Sequence, residues 1–210
     1  MLMMISCLTM LIDHIGILLG CTFMRVIGRL AMPIYAYFIA VGVEKTSNLK
    51  KYLLRLLVAS VAAQMPYMFA IGKHDGNVCI TWLIAALVLI VLKKNTTVFS
   101  KMIPVAGLLS LSCIIPMDYG IYGVLVVLLF QYRNRKKNTY RSILLFTALF
   151  LSGFLFQDAI QCFAALAVPI IVVCEKTGTE RVQSPVVKIV YRWFYPAHLS
   201  VLVVFKYIFA

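Results

Sequence analysis

Nine apolar stretches joined by short polar connections leave this chain few folds to choose from. They fall near residues 2–20, 27–43, 53–71, 78–92, 102–116, 119–132, 142–156, 158–174 and 187–208. A membrane-crossing helix needs about 20 apolar residues, and fewer when it is tilted or enclosed by others. Only helices and closed barrels satisfy their backbone groups in hydrocarbon, and runs of this length without alternation read as helices. The predicted fold is therefore all-α: a polytopic membrane protein of about nine transmembrane or partly spanning helices, forming a single domain over residues 1–210. Composition agrees, with 63% hydrophobic residues and a mean hydropathy of +0.97, well above a soluble domain. The first run lacks a basic leader and a small-residue cleavage site, so it reads as the first span and not as a signal peptide.

The connections carry the second constraint. The net charge of +13 would suggest nucleic acid in a soluble protein. Here 16 of the 20 lysines and arginines fall on every second connection: Lys45 to Arg55, Lys93 to Lys101, Arg133 to Arg141 and Lys176 to Arg192. That is the positive-inside pattern, and it puts the N-terminus and the even-numbered loops in the cytoplasm. No aromatic platforms interleave the basic residues, so nucleic acid is not an expected partner; the bilayer is. The six cysteines stand singly in apolar runs without CxxC spacing, which reads as small buried hydrophobes rather than a metal or disulfide framework.

Against this background the stretch from Leu11 to Tyr37 stands out, because Asp13, His14, Arg25 and Arg29 lie within it. Ionisable groups at membrane depth are costly unless they pair or act, and default to a functional-site hypothesis. Adjacent residues on a helix point about 100° apart, so Asp13 and His14 do not pair with each other. Asp13 is expected to pair with Arg25 or Arg29, and His14 to find an orienting carboxylate on another helix, Asp118 or Asp158. Gly16 and Gly20 form a small-xxx-small ridge for close helix approach. His198 follows Tyr195 and Pro196 in the last run, where the proline frees a carbonyl one turn earlier. Gln64 beside Pro66 is a second buried polar break, and Asp118-Tyr119 opens a turn. These residues are candidate site lining. Two membrane histidines would also suit haem, but an aspartate next to the histidine is odd for an axial ligand, and no metal is expected. There is no HExxH, phosphate loop, dinucleotide fingerprint or nucleophile elbow.

The strings LTMLIDHIG (8–16), IGRLAMPIYAY (27–37), KKYLLRL (50–56), the Gln64-Met65-Pro66 break, DYGIYGVL (118–125) and FYPAHL (194–199) together resemble the TraX family, in order and spacing along nearly the whole chain. Met32 stands where a phenylalanine is expected, a mild departure at an apolar position. The family takes its name from a conjugative pilin acetylase and is grouped with integral-membrane acyltransferases. The resemblance implies a bacterial inner-membrane enzyme that takes acetyl-CoA from the cytoplasm and acetylates an amine or hydroxyl of a peptide, pilin or glycan acceptor. It also implies His14 as the catalytic histidine, with Asp13 and Arg29 beside it. On that reading His14 is general base or transient acyl carrier. Arg29, Tyr119 or Gln64 would steady the oxyanion, and the basic clusters Lys50, Lys51, Arg55, Arg133, Arg135 and Lys136 would grip the CoA phosphates. The competing expectation is a small non-catalytic transporter or peptide-accessory protein, which would use the same buried ions as a pathway and should show repeated halves; none is evident.

Overall fold

The computed structural model describes residues 1–94, 96–135, 138–156, 159–179 and 184–209. Its helices are α1 (Leu2–Leu18), α2 (Thr22–Gly28), α3 (Ala31–Lys45), α4 (Leu49–Ile71), α5 (Val78–Lys93), α6 (Val98–Ile114), α7 (Gly120–Arg135), α8 (Thr139–Phe156), α9 (Ala167–Lys176) and α10 (Pro185–Phe209). A 3-10 helix, Ala159–Leu166, runs directly into α9. Helices α2 and α3 likewise follow each other across Arg29 and Leu30, so the described residues make nine helical units, in step with the nine apolar runs. Three of these, Thr22–Lys45, Leu49–Ile71 and Ala159–Lys176, are long and apolar enough to cross a membrane. Several others are shorter, as the run lengths imply.

Helix α3 is the centre of the bundle. It packs on α1, α5, α7, α9 and the 3-10 helix, and ten of its residues from Ala31 to Val43 are buried. Its sequence, AMPIYAYFIAV, is apolar around the whole circumference, as a surrounded helix must be. Peripheral α6 buries Ser112 alone and presents Val98, Phe99, Ile103 and Ile114 outward. Such apolar outer faces are what lipid tails cover.

Helix ends are set locally. Asn48 accepts from Lys51 N to cap α4, and Asn77 accepts from Cys79 N to cap α5. Gly72, at φ +77°, ends α4 in the left-handed conformation that glycine adopts without strain. The two ends of the bundle differ in charge. One collects Lys45, Lys50, Lys93, Arg135 and Lys176, at the last or first turns of α3, α4, α5, α7 and α9. The opposite end holds the α1–α2 turn, the 72–77 loop and the 115–119 loop.

Candidate active site

At that opposite end, Asp13, His14, Arg25, Arg29, Tyr67, Lys73, Trp82, Asp118, Tyr119 and Tyr195 line a cavity of about 380 Å³. It is built by a tight hairpin. Helix α1 stops at Leu18, Gly20 turns at φ +65°, and α2 runs back along α1. Gly20 is thus a turn residue and not part of a packing ridge. The close approach comes instead from Gly16 and Gly28. A Cβ on Gly16 would meet Met24 Cβ at 2.8 Å, and one on Gly28 would collide with Asp13 itself. Only a bare backbone at Gly28 admits the Asp13 side chain.

That approach delivers Arg29 to Asp13. Its Nη2 donates to Asp13 Oδ1 at 2.9 Å, its Nη1 to Gln161 Oε1 at 3.0 Å and to Tyr119 Oη at 3.3 Å, and its Nε to the Arg25 carbonyl at 3.3 Å. Four of the five guanidinium N–H groups are therefore engaged with protein. Arg29 is only 7% exposed and clamps α1, α2, the 115–119 loop and the 3-10 helix together. It has little left to offer a developing oxyanion. Tyr119 reaches it from a left-handed backbone, φ +64°, a conformation of order 1–3 kcal/mol above the ordinary regions for a non-glycine residue.

His14 departs from the sequence expectation. Its partner is neither Asp118 nor Asp158, which lies outside the described residues, but His198: Nδ1 to Nε2 at 2.7 Å. The rings are nearly parallel, 13° apart, with centroids at 5.0 Å, so with this nitrogen distance they meet edge to edge. The direction of the bond follows from the next link. His198 Nδ1 lies 2.7 Å from the Phe194 carbonyl, which only accepts, so Nδ1 carries the proton. Neutral His198 then accepts at Nε2, and His14 must donate from Nδ1. His14 is left with a bare Nε2, which has no protein partner among the described residues and belongs to a side chain lining the cavity. A metal between two imidazoles would hold the nitrogens about 4 Å apart, twice an ordinary metal–nitrogen bond, so this pair does not fit haem ligation.

The remaining expectations divide. Asp118 and Tyr119 line the cavity, with Asp118 half-buried on the connection between α6 and α7. Tyr195 lines it too, 6.2 Å from His14 and 5.7 Å from His198 between ring centroids. Gln64 does not: it binds the Asp75 carbonyl, Asn77 N and Asn77 Nδ2, fastening the 72–77 loop. Arg133 is not an anion gripper, because it is buried and ion-paired with Glu175 at 2.6 Å. Lys50, Lys51 and Arg135 are exposed at the basic end, and Lys136 lies outside the described residues. Among the described residues no cluster of three His, Cys, Asp or Glu side chains is arranged for a metal ion.

Sequence reasoning missed Gln161, Tyr67 and Trp82. Gln161, 1% exposed, sits on the 3-10 helix at a place where Gly153 of α8 allows it close. Tyr67 Oη and Trp82 Nε1 are buried without a hydrogen-bond partner among the described residues, although each lines the cavity. In the sequence they look like ordinary aromatic core residues.

The family model for TraX protein matches residues 1–206. The chain belongs to the TraX family. A curated relative is the probable fimbrial assembly protein FimC, serogroup H1, of Dichelobacter nodosus, which is 33% identical over 132 residues covering 55% of this chain and 52% of that protein. The chain thus spans about half the length of the curated relative that it matches. No solved structure matches. With its apolar helices, this TraX-family chain is a membrane protein.

Proposed function

We propose that this TraX-family protein is a membrane-embedded acetyltransferase of the bacterial inner membrane. Its basic end faces the cytoplasm, as positive-inside charge requires, and takes acetyl-CoA there. The acceptor is an amine or hydroxyl on an envelope or secreted molecule, with a pilin or fimbrial peptide favoured over a glycan by the fimbrial relative. His14 is the base. Its bare Nε2 takes the proton of the attacking amine or hydroxyl as the nucleophile bonds to the thioester carbonyl. Collapse of the tetrahedral adduct breaks the carbon–sulfur bond, and the same proton passes from His14 Nε2 to the departing thiolate, leaving the acetylated acceptor and CoA.

The observation that carries this reading is the hydrogen-bond chain Phe194 carbonyl, His198, His14. It fixes the tautomer of His14 so that an acceptor nitrogen belongs to the cavity, and it allows the imidazolium formed on proton transfer to keep donating to His198. The unpartnered hydroxyl of Tyr67 and N–H of Trp82 are buried donors on the cavity wall, suited to the charge that develops on the carbonyl oxygen. The Asp13–Arg29 pair holds the walls at their spacing.

The test is acetyl-CoA turnover by the purified protein in detergent, wild type beside His14→Ala. Slow thioester hydrolysis lost by about 10²–10⁴-fold in the variant is expected of a removed general base. Full turnover in the folded variant would refute the assignment.

A further inference from the structure

Between the ends of α3, α4 and α10 at the basic end lies a second cleft, of about 320 Å³. Four cations line it: Lys45 from the last turn of α3, Arg55 from α4, and Lys188 with Arg192 from α10. All four are exposed, and no carboxylate lines the cleft among the described residues. Charges that serve only membrane orientation have no reason to converge. These come from three separate segments onto one opening, where their mutual repulsion is relieved by an anion.

Below that rim the cleft is aromatic. Trp82, Tyr35 and Tyr191 form a continuous stack, with centroids 5.0 and 4.9 Å apart and planes within 12°. Its inner wall includes Trp82 and Tyr195, which also line the His14 cavity. The two hollows therefore share one two-residue partition. At the lower end of small-molecule pocket sizes, the cleft admits a slender arm, and a bulky anionic head stays at the rim.

We infer that this cleft is the donor site: Arg55, Arg192, Lys188 and Lys45 hold the phosphates of an acyl-CoA at the rim, and its uncharged arm runs along the Trp82–Tyr35–Tyr191 stack to the Trp82–Tyr195 partition. The inference rests on the acetyl-transfer reading and moves the phosphate grip away from the sequence-expected Lys50, Lys51, Arg133 and Arg135. Phosphate chemistry at this rim has two sources, a nucleotide or an anionic lipid headgroup, and the experiment separates them.

Binding of CoA and of 3′-dephospho-CoA to the purified full chain in detergent is measured for wild type, Arg55→Gln, Arg192→Gln and Lys188→Gln. Lys94→Gln and Lys101→Gln serve as charge controls outside the cleft, and Lys50→Gln and Lys51→Gln test the grip expected from the sequence. Each cleft substitution is expected to weaken CoA binding about tenfold, the loss typical of one charge-assisted hydrogen bond, with a smaller effect on the dephospho analogue for the residue that holds the 3′-phosphate. Arg55→Lys and Arg192→Lys retain the charge and recover part of the affinity, which separates ligand contact from misfolding. His14→Ala binds CoA like wild type.

Wild-type affinity in the cleft variants, or loss confined to Lys50→Gln and Lys51→Gln, would overturn the cleft while leaving acetyl transfer standing. No CoA binding, with thermal stabilisation by phosphatidylglycerol vesicles that depends on Arg55 and Arg192, would make the rim a lipid-headgroup site and overturn both readings. No response to either probe would also overturn both.

Discussion

Two buried arginine–carboxylate pairs lie at opposite ends of this bundle. Arg29–Asp13 spans 2.9 Å and Arg133–Glu175 spans 2.6 Å, and in both the side chains are nearly inaccessible. Both arginines spend further donors on protein: Arg133 on Ser142 and Asn134, Arg29 on Gln161, Tyr119 and the Arg25 carbonyl. Glu175 also accepts from Tyr37 at 2.9 Å. By burial and bonding the two are alike, so a buried ion pair is no evidence of chemistry here. What differs is the company. Beside Asp13 stands a histidine with a bare nitrogen on a cavity wall, together with Asp118 and buried donors, those of Tyr67 and Trp82 among them, that have no partner among the described residues. Arg133 and Glu175 also line a hollow, with Asn138, Ser142 and Lys176, but no histidine is among its described lining residues.

The comparison breaks or holds on charge-neutral replacement. Arg133→Gln alone strands a buried carboxylate and should cost about 3–5 kcal/mol, as should Arg29→Gln. Adding Glu175→Gln to the first and Asp13→Asn to the second removes the stranded charge, so both double variants should recover most of their thermal stability in detergent. Acetyl transfer should recover with the first and stay lost with the second, because the cavity wall and the environment of His14 have changed. Wild-type turnover in the Asp13→Asn/Arg29→Gln protein would show that this pair is a second structural clamp and nothing more.

A smaller effect is expected one step further from the chemistry. His198 touches no substrate in the proposed reaction; it is a positioning residue acting through His14 Nδ1. His198→Ala should lower kcat roughly 10–100-fold, as loss of a partner that orients an active histidine does, with the KM for acetyl-CoA unchanged. His198→Gln, whose amide oxygen can accept from His14 Nδ1, should regain part of the rate. Equal rates in both variants would show that the tautomer of His14 is fixed by something else.

The fold was legible because lipid permits so few solutions: nine apolar runs become nine helical units among the described residues, and α3, apolar all round, becomes the centre. The site was legible where the chain is local. Asp13 and Arg29 are 16 residues apart, across one tight turn, and the sequence already limits the partner of Asp13 to Arg25 or Arg29. The His14–His198 bond spans 184 residues and depends on α1 lying against α10, which no periodicity records. A carboxylate is the commoner orienting partner for histidine, and that base rate misdirects the expectation to Asp118 or Asp158. Gln64 misleads for a related reason: a buried amide in a helix looks the same whether it faces a cavity or fastens a loop. Arg133 carries a topology charge and an ion pair at once, and only packing reveals the second.

Asp118 gives the smallest and most easily read test. Loss of hydration on its loop pushes the carboxyl up to about 6, opposed by the Lys73 and Arg29 cations and reinforced by Asp13 and Asp75. A carboxyl raised in the folded state above its ordinary 3.8 binds a proton more tightly folded than unfolded. Its contribution to stability is therefore complete below about pH 4 and is lost as pH rises through about 6. Asp118→Asn should remove that slope, so the two melting curves, compared between pH 4 and 7 in one detergent, should diverge most at the alkaline side, with the variant the more stable. The matching control is Glu175→Gln in the Arg133→Gln background, which should leave the Asp118 slope intact because that pair lies at the other end of the bundle. If the slope vanished there too, the two ends would be coupled through the core, and the contrast between a chemical pair and a structural pair would have to be given up.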